Sequence, residues 1–293
     1  MALAAKTAKT IERFGELCKM KKHDGDPIAV MMRESLTLIE VGALLCDPVF
    51  YGIRVAPGDG KLVVIIPGFM GNDFYLQPLR DWLGRIGYTP IRSGLSLSAG
   101  CMQRSREMVQ AQIDRHLNGS SRSVALIGHS RGGSLAWAIA AQMRERVSHV
   151  VMLGAPIPTF QRSVESGERK IHLGQITKML LQANKLSRQA LDPDCSFPSC
   201  GCTWVKDTGL PLSPATSVLS IYGSNDLVVP EEAQMTEGKR VKVPASHVGL
   251  VYNAEVYRTL GRFLAQNNGA ANNRDLRRSG TNYTSRDSAA TTC

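Results

Sequence analysis

The residues Gly128-His129-Ser130-Arg131-Gly132-Gly133 follow a short apolar run, Ala125 to Ile127, and precede Ser134 to Met143, which reads as a good helix. Glycines cost backbone entropy and stand where the chain must bend as other residues cannot. A Gly-x-Ser-x-Gly turn between strand and helix holds a serine hydroxyl out beyond the sheet's carboxyl edge, and small flanking residues avoid collision inside the turn. Free N–H groups at the helix start favour developing negative charge, so such a serine suits nucleophilic attack on a carbonyl carbon. Serine is also a common helix N-cap. The motif alone leaves Ser130 between these two roles.

An activated serine needs a base, and the base an orienting acid, in the chain order Ser, acid, His for a serine on this kind of turn. Of six histidines, His23 and His116 precede the serine, His129 is its neighbour, His149 opens a strand and His172 lies in an irregular stretch. His247 remains, in the loop Lys242-Val243-Pro244-Ala245-Ser246-His247-Val248-Gly249-Leu250. The acid candidate is Asp226, where the strand Ser217 to Tyr222 runs into Gly223-Ser224-Asn225-Asp226. Open α/β sheets place ligand-facing residues at such carboxyl ends; the competing role is an Asx-type turn. Asp192, Asp194 and Asp207 are the other acids, none after a clear strand. An oxyanion would need backbone donors. The Arg131 N–H is one, and the loop Pro67-Gly68-Phe69-Met70-Gly71 supplies the other, Phe69 first and Met70 next. Gly68, Met70 and His129 are the expected substrate contacts.

The elements around these residues alternate. Short apolar runs at Leu62 to Ile66, Thr89 to Arg92, Val124 to Ile127, His149 to Leu153, Ser217 to Tyr222 and Arg240 to Val243 predict strands, and Val49 to Val55 predicts another. Asn72 to Ile86, Met102 to Leu117, Ser134 to Met143 and Val251 to Ala265 predict helices between them. Continuous apolar strands alternating with helices imply a mostly parallel sheet covered on both faces. Pro27 to Leu45 predicts a helix, and residues 1–25 an amphipathic one. The alternation stops over 155–214, where Leu173 to Leu191 reads as a helix with Leu173, Ile176, Leu180 and Ala183 as its apolar stripe. The division is then 1–48 as a helical extension, 49–154 with 215–266 as the core, 155–214 as an insertion, and 267–293 as a tail too polar to fold.

The serine turn, the glycine-rich loop before it, Asp226 in Gly-x-x-Asp-x-Val-Val-Pro and His247 in Ser-His-x-Gly-Leu together resemble the α/β-hydrolase superfamily, on its lipase/esterase side. The resemblance spans roughly residues 50–265 apart from the insertion. Pro67 stands where many lipases carry a histidine that is not catalytic, a departure that concerns loop geometry rather than activity. The resemblance implies a cap formed by 155–214. It implies a hydrolase of acyl or lipid-like carboxylic esters working through an acyl-enzyme on Ser130, with Asp226 and His247 completing the triad and no cofactor. An acyltransferase or amidase would use the same triad, and a non-catalytic lipid- or partner-binding protein would use the same fold.

The chain of 293 residues, 43% hydrophobic and 20% charged, has material for a sizeable core. Its net charge of +10 lies partly at the ends, where Lys6, Lys9, Arg13, Lys19, Lys21 and Lys22 outnumber Glu12, Glu16 and Asp24, and Arg274, Arg277, Arg278 and Arg286 outnumber Asp275 and Asp287. That balance allows weak peripheral contact with anionic membranes. No aromatic-studded basic stripe or nucleic-acid motif accompanies it, so the expected partner is a small-molecule or lipid ester and not nucleic acid. No run approaches the roughly 20 apolar residues of a membrane span, and no export signal is visible, so a cytoplasmic location is expected. Seven cysteines in such a chain imply reduced thiols. Cys195, Cys200 and Cys202 fall within eight residues. They are weak metal candidates, because a zinc site would need a fourth ligand from Asp194, Asp207 or His172; a local disulfide or free thiols are the other readings.

Overall fold

The computed structural model describes residues 37–156, 175–195, 203–235 and 237–266. The expected helix over 1–25, the start of the Pro27 helix, Leu173 and the 267–293 tail lie outside the described residues. Six strands form one sheet: β1 (Leu62–Ile66), β2 (Thr89–Arg92), β3 (Val124–His129), β4 (Val147–Leu153), β5 (Ser217–Gly223) and β6 (Lys239–Val243). Every pairing is parallel and the order is β2-β1-β3-β4-β5-β6. From β1 the chain moves outward to β2, returns across β1 to β3, and continues the other way to β6. β1 and β3 therefore flank the switch point where an open α/β sheet leaves a crevice at its carboxyl edge.

The helices are α1 (Thr37–Leu45), α2 (Gln77–Arg85), α3 (Met102–Leu117), α4 (Arg131–Met143), α5 (Gln175–Leu191), α6 (Trp204–Thr208) and α7 (Ala254–Leu264). β1 and β3 are buried along their whole length, so their apolar runs serve two cores. Val63, Ile65, Ala125 and Ile127 face Leu44, Trp82, Tyr257 and Leu260 of α1, α2 and α7. Val64, Ile66, Val124 and Leu126 face Val109, Ile113, Leu135 and Ile139 of α3 and α4. Pro90 is tolerated because β2 is an edge strand. The other edge, β6, carries Lys239, Arg240 and Lys242, charges that discourage pairing with a further strand.

The expected strand over Val49 to Val55 is not formed. Pro48–Tyr51 is a 3-10 turn, because Pro48 presets its first residue, the Asp47 carboxylate accepts the Val49 N–H, and Gly52 ends it at φ 78°. The helix expected from Asn72 begins only at Gln77, since the Asn72 side chain accepts the Phe74 N–H and holds a turn there. The late helix divides in two. Val248–Tyr252 is a 3-10 turn, and Asn253 then caps α7 by accepting the Glu255 and Val256 N–H groups.

Candidate active site

Ser130 sits between β3 and α4 with φ 54° and ψ −126°. A non-glycine residue in that region stores about 1–3 kcal/mol of strain and persists only where its surroundings over-determine it. They do so here. A Cβ on Gly128 would lie 2.1 Å from the Gly132 carbonyl oxygen, and one on Gly132 would lie 2.2 Å from that of Ile66. The elbow is thus nested against the carboxyl end of β1, and only glycine fits at both positions. The Ser130 N–H donates to Leu153 O at 2.8 Å, and its carbonyl accepts the Gly133 N–H at 2.8 Å. Its side chain makes no capping bond to the helix. The strained backbone therefore aims the hydroxyl away from the capping position.

Asp226 follows β5 and His247 follows β6, and the two loops are laced together by Ser224 N–H to Val243 O and Asn225 N–H to Ala245 O. The Asp226 Oδ2 lies 2.7 Å from His247 Nδ1, and both side chains are buried. Asp226 also forms the Asx-type turn, because its Oδ1 accepts the Val228 and Val229 N–H groups, each at 2.9 Å. The two roles open in the sequence are thus filled by different oxygens of one carboxylate. Gly154, at φ 56° after β4, lies beneath the pair: a Cβ there would meet Asp226 Oδ2 at 3.1 Å and His247 Nδ1 at 3.3 Å. From α1, Glu40 reaches across to the Ser246 N–H and hydroxyl at 3.3 and 3.2 Å, in space that a Gly249 side chain would fill. Neither Gly154 nor Glu40 carries a sequence signal tying it to this site.

The glycine-rich loop after β1 packs directly on the elbow, for a Cβ on Gly68 would lie 3.0 Å from Ser130 Cβ. Its N–H groups are largely committed. Gly68 donates to Tyr75 Oη at 2.7 Å, Met70 to Ser98 O at 2.9 Å and Gly71 to Gly68 O at 3.0 Å. Phe69 N–H has no acceptor among the described residues, and neither does Arg131 N–H at the start of α4. Two such donors flanking a serine are what a developing oxyanion requires. Met70 is exposed at φ 58° with its N–H spent, which leaves its side chain but not its amide for ligand contact.

His129 is not placed to touch a ligand. It is buried, its Nδ1 is 3.0 Å from Tyr75 Oη, and its Nε2 is 2.9 Å from the His247 carbonyl oxygen. The substrate contact expected of it is not made, because strand alternation turns its ring inward, between the loops. Tyr75 was missed altogether.

The helices between β4 and β5 are held by polar anchors. On α5, Thr177 donates to Val228 O and Asn184 accepts from the Arg131 guanidinium at 2.9 Å. Thr177 and Arg188 are buried, while Met179, Leu186 and Leu191 are exposed. Of the apolar stripe expected of this helix, Leu180 and Ala183 are half-buried. Arg131 also donates to Gly100 O at 2.9 Å, and burial pushes its pKa down to about 10, which leaves it cationic at neutral pH. The alternative acids serve as ties: Asp192 holds Cys101 N–H and Arg104, with Asp194 3.7 Å from the same arginine, and Asp207 pairs with Arg106. Cys200, Cys202 and His172 lie outside the described residues. Among those described, including half-buried Cys195, no group of three or more His, Cys, Asp or Glu side chains could hold a metal ion. No described helix is long and apolar enough to cross a membrane.

Two buried histidines make the fold acid-sensitive. Burial, with His247 nearby, lowers the His129 pKa to about 3, and burial, with Lys61 nearby, lowers that of His149 to about 4. In the unfolded chain each titrates near 6.5. The unfolded state thus binds more protons between these values, so stability is complete above about pH 6.5 and falls as pH drops toward 4, by up to about 1.4 kcal/mol per unit for each histidine. Urea midpoints at pH 7, 6 and 5 are expected to fall in that order. His149→Leu, in the first half of β4 and remote from the elbow, is expected to shallow the decline without changing any activity.

The alpha/beta hydrolase fold family matches residues 81–176. An esterase of Pyrococcus furiosus superposes with a TM-score of 0.50 at 17% identity, covering 71% of this chain and 82% of that one. Est1E from Butyrivibrio proteoclasticus gives 0.48 at 17% identity, with 72% and 90% covered. A monoacylglycerol lipase of Paleococcus ferrophilus gives 0.46 at 14% identity, with 72% and 96% covered. No curated protein matches the sequence. The family match runs through the serine elbow itself, and the parallel sheet has the architecture of the α/β-hydrolase fold.

Proposed function

We propose that this protein is a serine hydrolase that cleaves carboxylic esters through an acyl-enzyme on Ser130. The observation that carries the reading is the strained, uncapped Ser130 at the same carboxyl edge of the sheet as an Asp226–His247 pair joined at 2.7 Å. His247 Nδ1–H donates to Asp226, which leaves Nε2 as the base for the serine hydroxyl. As Ser130 Oγ attacks the ester carbonyl, its proton passes to Nε2, and the oxyanion rests on the Phe69 and Arg131 N–H groups. The imidazolium then protonates the departing alkoxide and the acyl-enzyme forms. Water gives its proton to the same nitrogen, attacks the acyl carbon, and releases the acid with Ser130 restored. The serine proton leaves with the alcohol and a water proton replaces it through His247, so the cycle consumes only ester and water. Helix α5 is part of a cap at this site, and the Arg131–Asn184 tie sets it beside the oxyanion donor.

The reading is tested with a fluorophosphonate probe and a series of p-nitrophenyl esters of rising chain length. Labelling confined to Ser130 and ester turnover that vanishes in Ser130→Ala are expected. Failure of both labelling and turnover would leave the fold as a binding scaffold. Adding an alcohol beside water separates hydrolysis from acyl transfer by the products formed.

A further inference from the structure

Three hydrogen bonds run through the site in series, and none belongs to the proton path described above. Gly68 N–H meets Tyr75 Oη at 2.7 Å, Tyr75 Oη meets His129 Nδ1 at 3.0 Å, and His129 Nε2 meets the His247 carbonyl at 2.9 Å. The ends fix the direction of the whole series. A backbone amide can only donate, so the Tyr75 oxygen accepts from Gly68 and spends its single proton on Nδ1. A carbonyl can only accept, so Nε2 carries the other proton. His129 is thereby held as the neutral Nε2–H tautomer. Reversing any one bond would leave a buried donor facing a donor or an acceptor facing an acceptor.

We propose that Tyr75 and His129 are positioning residues that set the Phe69 N–H against the His247 imidazole. The inference rests on the proposed hydrolase mechanism and deepens it. Gly68 immediately precedes the oxyanion donor, and His247 is the base. The series therefore ties the two groups that must act on opposite sides of Ser130, through a ring one residue from that serine. The fit is close throughout. The His129 and His247 rings are 4.9 Å apart between centroids. A Cβ on Gly68 would come within 3.1 Å of His129 Nδ1, and one on Gly71 within 2.4 Å of the Tyr75 ring. Tyr252 Oη anchors the Tyr75 backbone by donating to its carbonyl at 2.7 Å. Burial keeps His129 neutral and raises the Tyr75 pKa, so the series stays intact across the working pH range.

The test compares Tyr75→Phe, His129→Ala, His129→Asn and His129→Gln with the parent chain and with Ser130→Ala. Three quantities are read: kcat and KM on a soluble p-nitrophenyl ester, affinity for a boronic acid that forms a tetrahedral adduct on the serine, and the thermal midpoint. Tyr75→Phe frees the Gly68 N–H and is expected to lower kcat about 10- to 100-fold with KM within about twofold, as a displacement near 1 Å would. Boronate affinity is expected to fall by the same factor as kcat/KM. His129→Asn keeps an acceptor near the Nδ1 position, and His129→Gln keeps a donor near Nε2, so each is expected to recover part of the loss seen in His129→Ala. A merely structural role would lower the thermal midpoint and leave kcat and boronate affinity of the folded protein unchanged, and that result overturns the inference. If Ser130→Ala is inactive while Tyr75→Phe turns over normally, only the positioning role falls. If Ser130→Ala remains active, the hydrolase reading falls and takes the positioning role with it.

Discussion

Ser130→Ala is expected to lower kcat on a p-nitrophenyl ester by at least about 10⁴-fold, the loss typical when the nucleophile of a serine triad is removed. The fold should survive, because the serine side chain caps nothing and its N–H and carbonyl bonds belong to the backbone. Ser130→Gly sharpens the prediction. Glycine relieves about 1–3 kcal/mol of strain at φ 54°, ψ −126°, against about 0.5–1 kcal/mol of extra entropy lost on folding. The glycine variant should therefore be as inactive as the alanine variant, yet more stable than it by about 1 kcal/mol. Paired activity and chemical denaturation measurements check this. Equal stability of the two would remove the strained elbow, and an active alanine variant would remove the nucleophile.

Asp226→Asn is expected to cost about 10⁴-fold in kcat while leaving the thermal midpoint nearly unchanged. The argument depends on how the carboxylate is shared. Oδ1 accepts the Val228 and Val229 N–H groups, and Oδ2 faces His247 Nδ1. Asparagine will keep its oxygen toward the two amides, because the reverse orientation sets an NH₂ against two donors. Its NH₂ then points at Nδ1, which must accept. The imidazole proton moves to Nε2, and the ring can no longer take the proton of Ser130. Asp226→Ala provides the contrast, since it orphans both amides and should also lose about 1–3 kcal/mol of stability. An asparagine variant with near-normal turnover would assign the orienting role to another acid.

The sequence announces features whose cause is local. Strands β1 and β3 are legible as apolar runs because both of their faces are buried. The elbow is legible because its glycines answer a steric demand set within a few residues. The turn at Pro48 was equally local. Asp47, Pro48 and Gly52 spell a capped turn, but the apolar residues between them also suit a strand, and capping won.

Other features have causes that lie far away in the chain. His129 meets the His247 carbonyl across 118 residues, and Glu40 meets Ser246 across 206. Tyr75 shows nothing in its neighbourhood to mark it, because its partners are an amide seven residues back and an imidazole 54 residues on. The polar anchors of α5 are illegible in the sequence for a related reason. Periodicity finds an apolar stripe, whereas here Thr177 and Asn184 meet polar groups supplied by the acid loop and by Arg131. By itself, then, the sequence determined the parallel α/β architecture and the bent turn at Ser130, since apolar runs and steric exclusion act over short stretches. Only tertiary structure decided which carboxylate oxygen faces His247, which loop amide is left for an oxyanion, and which side chains brace them. Those outcomes depend on where packing brings distant segments to rest.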